Sequence, residues 1–371
     1  MDTTTKPEYF IGLMSGTSTD GVDGVIAKFT PDERVKIIAQ NSLGMPMALR
    51  ETFLALNKAG DNELERSHLA ANDLARLYAQ CCHDLLAQAK LKAEDIVAIG
   101  AHGQTVRHRP DLGFTVQLNS PALLAELTGI NVIADFRSRD VAAAGQGAPF
   151  APLLHQALFS STEKHRVVLN LGGIANITIL KPGETLRGFD TGPANVFMDM
   201  WAEQHLNLRY DPQGAWGASG QVQERLLNYW LSSEPYFNAP PPKSTGRDLF
   251  NAQWLEQRLV GFNDISPVDV MATLRALTTH SVARAIQEHA GKIDELFVCG
   301  GGSRNTAILK ELQSLLACSV EAIEAYDIDS QSVESLAFAW LAHAFMQGQR
   351  LDFPALTGSR HATIAGCLYP K

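Results

Sequence analysis

The same pattern, an apolar strand followed by a glycine-rich turn and a second apolar strand, occurs in both halves of the chain. In the first half it is FIGLMSGTSTDGVDGVIAKF (10–29), and in the second half it is RVVLNLGGIANITIL (166–180). Short apolar runs bounded by glycine turns are typical of buried strands joined as hairpins. The repetition therefore favours an α/β protein in which each of two domains begins with such a hairpin.

Length and composition also favour two domains. The chain has 371 residues, which exceeds the usual size of a single hydrophobic core. Strand patterns alternate with helical patterns, and the stretch RSRDVAAAGQGAPFAP (137–152) has turn residues without periodicity. We therefore predict domains at 1–136 and 137–371, and we leave open whether the C-terminal segment packs back on the first domain.

Charge and cysteine content exclude several classes of function. The net charge of −9 argues against a broad surface for nucleic acid or anionic membrane, because both need a basic face. The five scattered cysteines contain no C-x-x-C pair, which suits a reducing compartment. The N-terminal residues lack the features of a signal peptide, and no apolar run reaches the roughly 20 residues that span a bilayer. We therefore expect a cytoplasmic protein.

Three glycine turns are candidate nucleotide-binding elements. The opening turn, SGTSTDGVDG, can hold phosphates through backbone amides without the lysine of a P-loop, whose signature is absent. A Gly-Gly turn at 172–173 and a triple glycine at 300–302 adjoin buried strands in the same way. Each turn alone is equally typical of a hairpin without a ligand, but three together favour nucleotide binding. Asp20 and Asp23 are candidates to hold the waters of a Mg²⁺ ion, which prefers oxygen ligands.

Five polar residues are candidates for the chemistry, and each also has a purely structural explanation. Asp190 is predicted after a strand end, on a sharp turn before a helix, as either a helix cap or a general base. His102 is either a core histidine or a ligand of sugar hydroxyls. Arg137 and Arg139 suit a carboxylate or a surface ion pair. Glu334, in the first turn of a predicted helix, either favours the helix dipole or faces a ligand.

Two asparagines and two further polar residues add to this set. Asn170 and Asn176 lie beside buried strands, where an unpaired amide costs about 1–3 kcal/mol, so we predict a polar role for them. Gln104 follows His102 in the same glycine turn and is a second candidate for sugar hydroxyls. Asp199 is predicted on the apolar face of a helix, as a structural buried acid or as support for the site.

Seven motifs, in order along nearly the whole chain, resemble those of the anhydro-N-acetylmuramic acid kinases. They are GLMSGTSTDGVD, GAHGQTVRHRP, ADFRSRDVAAAGQGAPFAP, NLGGIANIT, GFDTGPANVFMD, KSTGRDLFN and VCGGGSRN. The family belongs to the actin-like, hexokinase-like ATPase superfamily. The resemblance therefore implies two actin-like/ribonuclease-H-like α/β domains with a nucleotide and sugar cleft between them. The chain departs from the family pattern at Ala194, where glycine is usual and where alanine requires a negative φ.

The resemblance also implies a reaction. Water opens the ring of 1,6-anhydro-N-acetylmuramic acid, a product of peptidoglycan recycling, at C1, while the γ-phosphoryl group of ATP moves to O6. The product is N-acetylmuramate 6-phosphate. The implied cofactors are ATP and Mg²⁺, and the implied assembly is a homodimer. A kinase for another amino sugar and an actin-like ATPase that grips a protein partner are the alternatives.

Matching the motifs residue by residue implies individual roles. Asp190 corresponds to the aspartate that activates the water. Arg139 and Glu334 correspond to substrate-binding positions, to which we add His102, and Asp20 and Asp23 are expected to reach the metal through waters. The expected ATP contacts lie in the three glycine turns and are Gly16, Thr17, Ser18, Thr19, Asp20, Gly21, Val22, Asp23, Gly172, Gly173, Asn176, Gly300, Gly301, Gly302 and Asn305.

Overall fold

The computed structural model describes residues 7–16, 18–30, 33–326 and 328–371. These residues form two compact units, of which the first runs up to Leu154 and resumes with 328–371, and the second is His155–Tyr326. The sequence predicts a division after residue 136. The structure instead divides the chain after Leu154 and returns the C-terminal segment to the first unit.

Both units combine strands and helices. The strands of the described residues are β1 (Glu8–Ser15), β2 (Gly21–Thr30), β3 (Glu33–Gly44), β4 (Ile96–Arg109), β5 (Phe114–Leu118), β6 (Val132–Ala134), β7 (Arg166–Leu171), β8 (Ile174–Leu180), β9 (Arg187–Pro193), β10 (Glu295–Cys299), β11 (Ser319–Ala322) and β12 (Cys367–Tyr369). The α-helices are α1 (Met47–Leu56), α2 (Glu63–Ala89), α3 (Pro121–Thr128), α4 (Ser138–Ala142), α5 (Ala151–Phe159), α6 (Asn195–Leu206), α7 (Ala215–Ser219), α8 (Glu224–Ser233), α9 (Ala252–Leu259), α10 (Pro267–His289), α11 (Thr306–Leu316), α12 (Val333–Met346) and α13 (Pro354–Thr357).

The sheet of the first unit has the strand order β12-β6-β4-β1-β2-β3, with β5 paired to β4. β1, β2 and β3 form an antiparallel meander, whereas β4 runs parallel to β1 and β6 parallel to β4. The parallel strands need long crossovers, which α2 and α3 supply. The first glycine turn therefore joins the first two strands of a mixed sheet, as the hairpin pattern predicts.

The sheet of the second unit repeats this arrangement with the order β11-β10-β7-β8-β9. β7, β8 and β9 are antiparallel, and β10 and β11 are parallel to β7 and to each other. In both sheets the first strand of the unit lies between the second and the fourth. The α/β class with two units is confirmed by this repeated order.

Two glycines bring helix α12 directly onto the sheet of the first unit. Gly12 and Gly100 are register partners on β1 and β4. A Cβ atom on Gly12 would stand 1.9 Å from the Ser335 carbonyl oxygen, and one on Gly100 would stand 2.0 Å from that of Phe338. Neither gap admits a side chain. The glycine pair therefore fixes where α12 lies and, with it, the position of Glu334 in its first turn.

Helix α10 is the central helix of the second unit. Its start is defined by Pro267 and by the Ser266 side chain, which accepts a hydrogen bond from the Asp269 N–H. Most of its length is buried among the strands and helices of this unit, including Leu274 and Leu277.

Among the described residues, no helix is long and apolar enough to cross a bilayer.

Candidate functional site

The opening glycine turn is held in place by a buried glutamine from β4. The Gln104 Oε1 atom accepts a hydrogen bond from Ser15 Oγ at 2.6 Å, and its Nε2 donates to the Gly16 carbonyl oxygen at 3.0 Å. The Gly16 carbonyl also accepts from the Thr19 N–H at 3.1 Å. Both ends of the Gln104 amide are thus occupied, so Gln104 positions the turn and is not free for sugar hydroxyls. Thr17 lies outside the described residues.

The residues of this turn differ in what they can offer a phosphate. Among the described residues, a Cβ atom on Gly16 would meet only Ser18 Oγ, at 3.7 Å, so the chain is open to a ligand there. Thr19 is buried with a φ of 54°, which is unusual for a β-branched residue. Gly21 is needed for packing, because a Cβ would stand 2.3 Å from the Leu43 carbonyl oxygen. The Val22 side chain is fully buried in the core, so only its backbone can reach a nucleotide.

The two aspartates of the turn lie in different surroundings. The Asp20 carboxylate is exposed and stands 3.7 Å from the Arg50 guanidinium. Asp23 Oδ1 accepts a hydrogen bond from Ser42 Oγ, and Asp23 lines a cavity of about 360 Å³ with residues of β3 and Asp329. No cluster of three or more metal-ligating side chains occurs among the described residues. Both carboxylates suit an ion that keeps its waters, as Mg²⁺ does.

In the first unit, the buried His102 pairs with the half-buried Arg137. Arg137 Nε donates to His102 Nε2 at 3.0 Å, and Nη1 donates to the Gly147 carbonyl oxygen at 2.6 Å. Because Nε2 accepts, the imidazole proton belongs on Nδ1, which has no partner among the described residues. Burial lowers the pKa of His102 to about 3, and the nearby Arg137 charge acts in the same direction. His102 is therefore neutral, and in this structure it orients an arginine.

Glu334 and Arg137 influence each other electrostatically. Desolvation raises the pKa of the Glu334 carboxyl group, and the charge of Asp23 acts in the same direction, while Arg137 opposes the shift. Desolvation lowers the pKa of Arg137 to about 10, and Glu334 opposes that shift too. Arg139 is in a different place. It is exposed and lines a pocket of about 320 Å³ with Arg350 and His361. Glu334, whose side chain is exposed, is thus linked to Arg137 through charge alone, and no hydrogen bond or ion pair among the described residues joins Arg139 to Glu334, His102 or Arg137.

In the second unit, three polar residues form a row across neighbouring strands. Asn170 on β7 is the register partner of Asn176 on β8, and Asn176 is the partner of Asp190 on β9. Register partners point to the same face of a sheet with Cβ atoms roughly 5 Å apart. Of the two asparagines that are unusual in the sequence, Asn176 therefore lies beside the candidate general base, and Asn170 lies one strand further away.

The prediction that Asp190 follows a strand end is wrong. Strand β9 continues to Pro193, and helix α6 begins at Asn195, so Asp190 lies inside a strand and caps no helix. β9 is the edge strand of its sheet, where a proline is tolerated because no neighbour requires its missing N–H. The sequence Thr-Gly-Pro resembles a turn, and pairing with β8 overrides that preference.

Residues 243–247 form a loop beside β9, and two groups of this loop donate hydrogen bonds to the Asp190 carboxylate. Oδ2 accepts hydrogen bonds from Ser244 Oγ at 3.1 Å and from the Thr245 N–H at 2.9 Å. The Asp190 carbonyl oxygen accepts from Tyr236 Oη at 2.8 Å. Oδ1 has no hydrogen-bond partner among the described residues. Desolvation raises the pKa of Asp190, against the effect of the two hydrogen bonds, so a fixed carboxylate with one available oxygen results.

In the triple-glycine turn at 300–302, packing requires two of the glycines and leaves the middle one open. A Cβ on Gly300 would stand 2.5 Å from Asn170 Oδ1, and one on Gly302 would stand 2.6 Å from Leu171 Cβ, so both glycines are required by packing. A Cβ on Gly301 would meet no atom of the described residues closer than 3.8 Å. The Asn305 side chain accepts from the first amides of α11 and is a helix cap.

The Gly-Gly turn between β7 and β8 is open as well. Within the part of the chain that the structure describes, a Cβ on Gly172 would meet nothing closer than 3.6 Å, and one on Gly173 nothing closer than 3.9 Å. The atom nearest to that Gly173 position is Nη2 of Arg247. Arg247 and the Ser244–Thr245 contacts were not assigned from the sequence. The sequence shows that residues 243–247 are polar, but it does not show that they lie close to Asp190 and to this turn.

Two comparisons with known proteins name the same family. The family model for anhydro-N-acetylmuramic acid kinase matches residues 8–371. The chain belongs to this family. A relative from Bordetella pertussis with that name is 55% identical over 363 residues, which cover 97% of this chain and 96% of the relative. Another from Burkholderia orbicola is 52% identical over 368 residues, which cover 98% of this chain and 96% of the relative.

The family resemblance drawn from the seven motifs is thereby confirmed. Ala194, where the chain departs from the family pattern, has the negative φ that alanine requires, −116°, together with a ψ of −106°. The special conformation falls on Gly192, whose φ is 150° and where a Cβ would stand 2.7 Å from the Phe237 ring. Glycine is therefore required at 192.

Proposed function

We propose that this protein is the kinase that converts 1,6-anhydro-N-acetylmuramic acid, water and ATP to N-acetylmuramate 6-phosphate and ADP. Membership of the anhydro-N-acetylmuramic acid kinase family supports the substrate class and the use of ATP. The observation that carries the mechanism is the Asp190 carboxylate, which is held through Oδ2 and has Oδ1 available. Recycling of cell-wall sugar in the cytoplasm is the corresponding role, and five scattered cysteines with no C-x-x-C pair suit that reducing compartment.

In the proposed reaction, Asp190 Oδ1 takes a proton from the attacking water. The water oxygen bonds to C1, the C1–O6 bond breaks, and the electron pair of that bond stays on O6. O6 then takes the γ-phosphoryl group, and ADP leaves. Because the ether oxygen carries no proton, one base acting on water suffices, and the raised pKa of Asp190 makes it a stronger base than an ordinary aspartate.

The substrate carries a lactyl carboxylate, and an arginine is the side chain best suited to it. The family motif assigns this contact to Arg139. The grouping of Arg137 with His102 and Glu334 favours Arg137 instead. The variants Arg137→Ala and Arg139→Ala separate the two assignments, because the one that binds the carboxylate raises the KM for sugar by about tenfold or more. A KM for sugar that neither variant changes contradicts both.

For the nucleotide, the open positions Gly16, Gly172, Gly173 and Gly301 support contacts between backbone and phosphates. Mg²⁺ would be held by the phosphates and, through waters, by Asp20 and Asp23, and it would neutralise charge on the transferring phosphoryl group. Glu334 and His102 remain proposed substrate-binding residues, with His102 acting through Arg137. The homodimer also remains a prediction.

The decisive experiment uses purified protein, MgATP and the anhydro sugar in ¹⁸O-labelled water. We expect one ¹⁸O atom at C1 of the product and none in the phosphate. Free N-acetylmuramate 6-phosphate in the same water corrects for exchange of the anomeric oxygen. Label in the phosphate, or no sugar phosphate at all, contradicts the mechanism. Consumption of ATP with free N-acetylmuramate, or without sugar, favours a different amino-sugar kinase or an ATPase that acts on a protein partner.

A further inference from the structure

An arginine outside the predicted site stands at the second glycine turn. Arg247 is exposed, and its Nη2 atom is 3.9 Å from the place that a Cβ on Gly173 would occupy. No hydrogen bond or ion pair joins its guanidinium to the described residues. Arg166, Arg258 and Arg275 of the same unit are each paired with a glutamate. A cation without such a partner beside an open glycine turn is suited to an anion that binds there.

The backbone amides at the start of α6, next to this turn, are not available to bind a phosphate. In many proteins, free amides at a helix start bind phosphate. Here the Asn195 N–H donates to the Gly172 carbonyl oxygen, and the N–H groups of Ala194 and Val196 donate to that of Gly173. The first amides of α6 are therefore already occupied. A phosphate at this turn must be neutralised by another group, and Arg247 is the nearest side chain that carries positive charge.

The same loop connects this cation to the chemistry. Ser244 and Thr245 hold the Asp190 carboxylate, and Arg247 is two residues further along. In the proposed reaction the base acts on water at C1, and the phosphoryl group goes to O6 of the same small bicyclic sugar. A base and a γ-phosphoryl group that act on one such ring must lie within a few ångströms of it. The loop 243–247 thus holds the base through Ser244 and Thr245, and it supplies Arg247 as a cation for the γ-phosphoryl group.

We propose that Arg247 binds the γ-phosphoryl group of ATP at the Gly172–Gly173 turn and stabilises its charge during transfer. This inference rests on the proposed kinase function and deepens it. The alternative is a purely structural arginine that balances the half-buried Asp199, on whose carboxyl group its charge acts. A structural arginine would affect all nucleotides alike, whereas a γ-phosphoryl ligand distinguishes ATP from ADP.

The test is calorimetric titration of the whole protein with a non-hydrolysable ATP analogue, ADP and adenosine, in Mg²⁺ and without sugar. For Arg247→Gln we expect the affinity for the ATP analogue to fall about 10- to 100-fold, the range of a lost hydrogen bond to a charged group. Affinities for ADP and adenosine should stay unchanged. Arg247→Lys keeps the charge but loses the two-pronged contact, so it should lie between Gln and wild type.

A matched control is Arg225→Gln, which removes another exposed arginine of the second unit, one that lies over the Phe262 ring. It should bind all three compounds as wild type does. Equal losses for the ATP analogue and ADP, or no loss in Arg247→Gln, overturn the assignment of Arg247 while the kinase function stands. A wild-type protein that binds no nucleotide overturns the kinase function and, with it, this inference. Thermal denaturation of each variant shows whether folding is intact.

Discussion

Replacing Asp190 by asparagine tests the general base without removing the contacts that hold it. Ser244 Oγ and the Thr245 N–H both donate to Oδ2, so an amide oxygen can take the place of Oδ2 and keep the loop attached. The amide nitrogen then takes the place of Oδ1, which is the oxygen available to water. Asp190→Asn therefore removes the basic atom while it preserves the shape of the site.

The size of the effect follows from the role of the base. General bases contribute roughly 10²- to 10⁴-fold to a rate, which is about 2.7–5.5 kcal/mol of transition-state stabilisation. A neutral amide oxygen accepts hydrogen bonds about half as strongly as a carboxylate, so the folded loop should lose only about 1 kcal/mol. We expect kcat to fall by at least about 10², with affinity for ATP unchanged.

The assay couples ADP release to a spectrophotometric reaction at saturating MgATP and anhydro sugar. Ser244→Ala is the companion variant. It removes one hydrogen bond that lowers the pKa of Asp190, so that pKa should rise. The base works in its ionised form, and activity is lost as the pH falls through that pKa. The acid limb of the Ser244→Ala pH profile should therefore move to higher pH. A kcat of Asp190→Asn within tenfold of wild type refutes the assignment of the base.

Three further outcomes test the rest of the structure. Gln104→Leu removes the two side-chain hydrogen bonds from Gln104 to the opening turn, so the KM for ATP should rise about tenfold. Gln117→Leu, at a half-buried glutamine, serves as the control. An unchanged KM for ATP in Gln104→Leu would show that the turn keeps its conformation without Gln104. Gly12→Ala should lower the free energy of unfolding by about 3 kcal/mol or more, because the new methyl group overlaps the backbone of α12. Gly44→Ala, where a Cβ would meet no atom of the described residues within 4 Å, should change it by under about 0.5 kcal/mol in urea denaturation. Similar losses in both variants would contradict the packing argument. His102 has a pKa of about 3 in the folded protein, below its unfolded value of about 6.5. The free energy of unfolding of the wild type should therefore decrease as the pH falls below 6.5, by about 1.4 kcal/mol per pH unit from this group. His102→Gln should show a correspondingly shallower pH dependence in denaturant titrations, and equal slopes would disprove that His102 is neutral.

Local patterns in the sequence are sufficient for the family, the α/β class and the three glycine turns. A strand shows itself by a short apolar run and a turn by its glycines, because both depend on neighbours within a few residues. The ordered motifs identify the family in the same local way. Glu334 in the first turn of a helix is also predicted correctly, since its helical pattern is continuous.

The arrangement of the site was decided by tertiary contacts. The alternation of a strand tells which residues share a face but not which residue lies opposite, so the row of Asn170, Asn176 and Asp190 appears only when β7, β8 and β9 pair. The Thr245 amide that holds Asp190 comes from 55 residues away, and the Gln104 amide that holds Gly16 from 88. Contacts at such separations leave no periodic trace in the sequence.

The sequence by itself determined which residues this protein has for its chemistry, because residue types and local turns are written in short motifs. Only the tertiary structure decided how they are used. It separated Arg137 from Arg139, although one residue lies between them, because α4 begins there and the chain turns. It also divided the triple glycine into Gly300 and Gly302, which packing requires, and Gly301, which stays open. Packing between distant segments makes these distinctions, since steric overlap and hydrogen bonding depend on which surfaces meet in the folded chain.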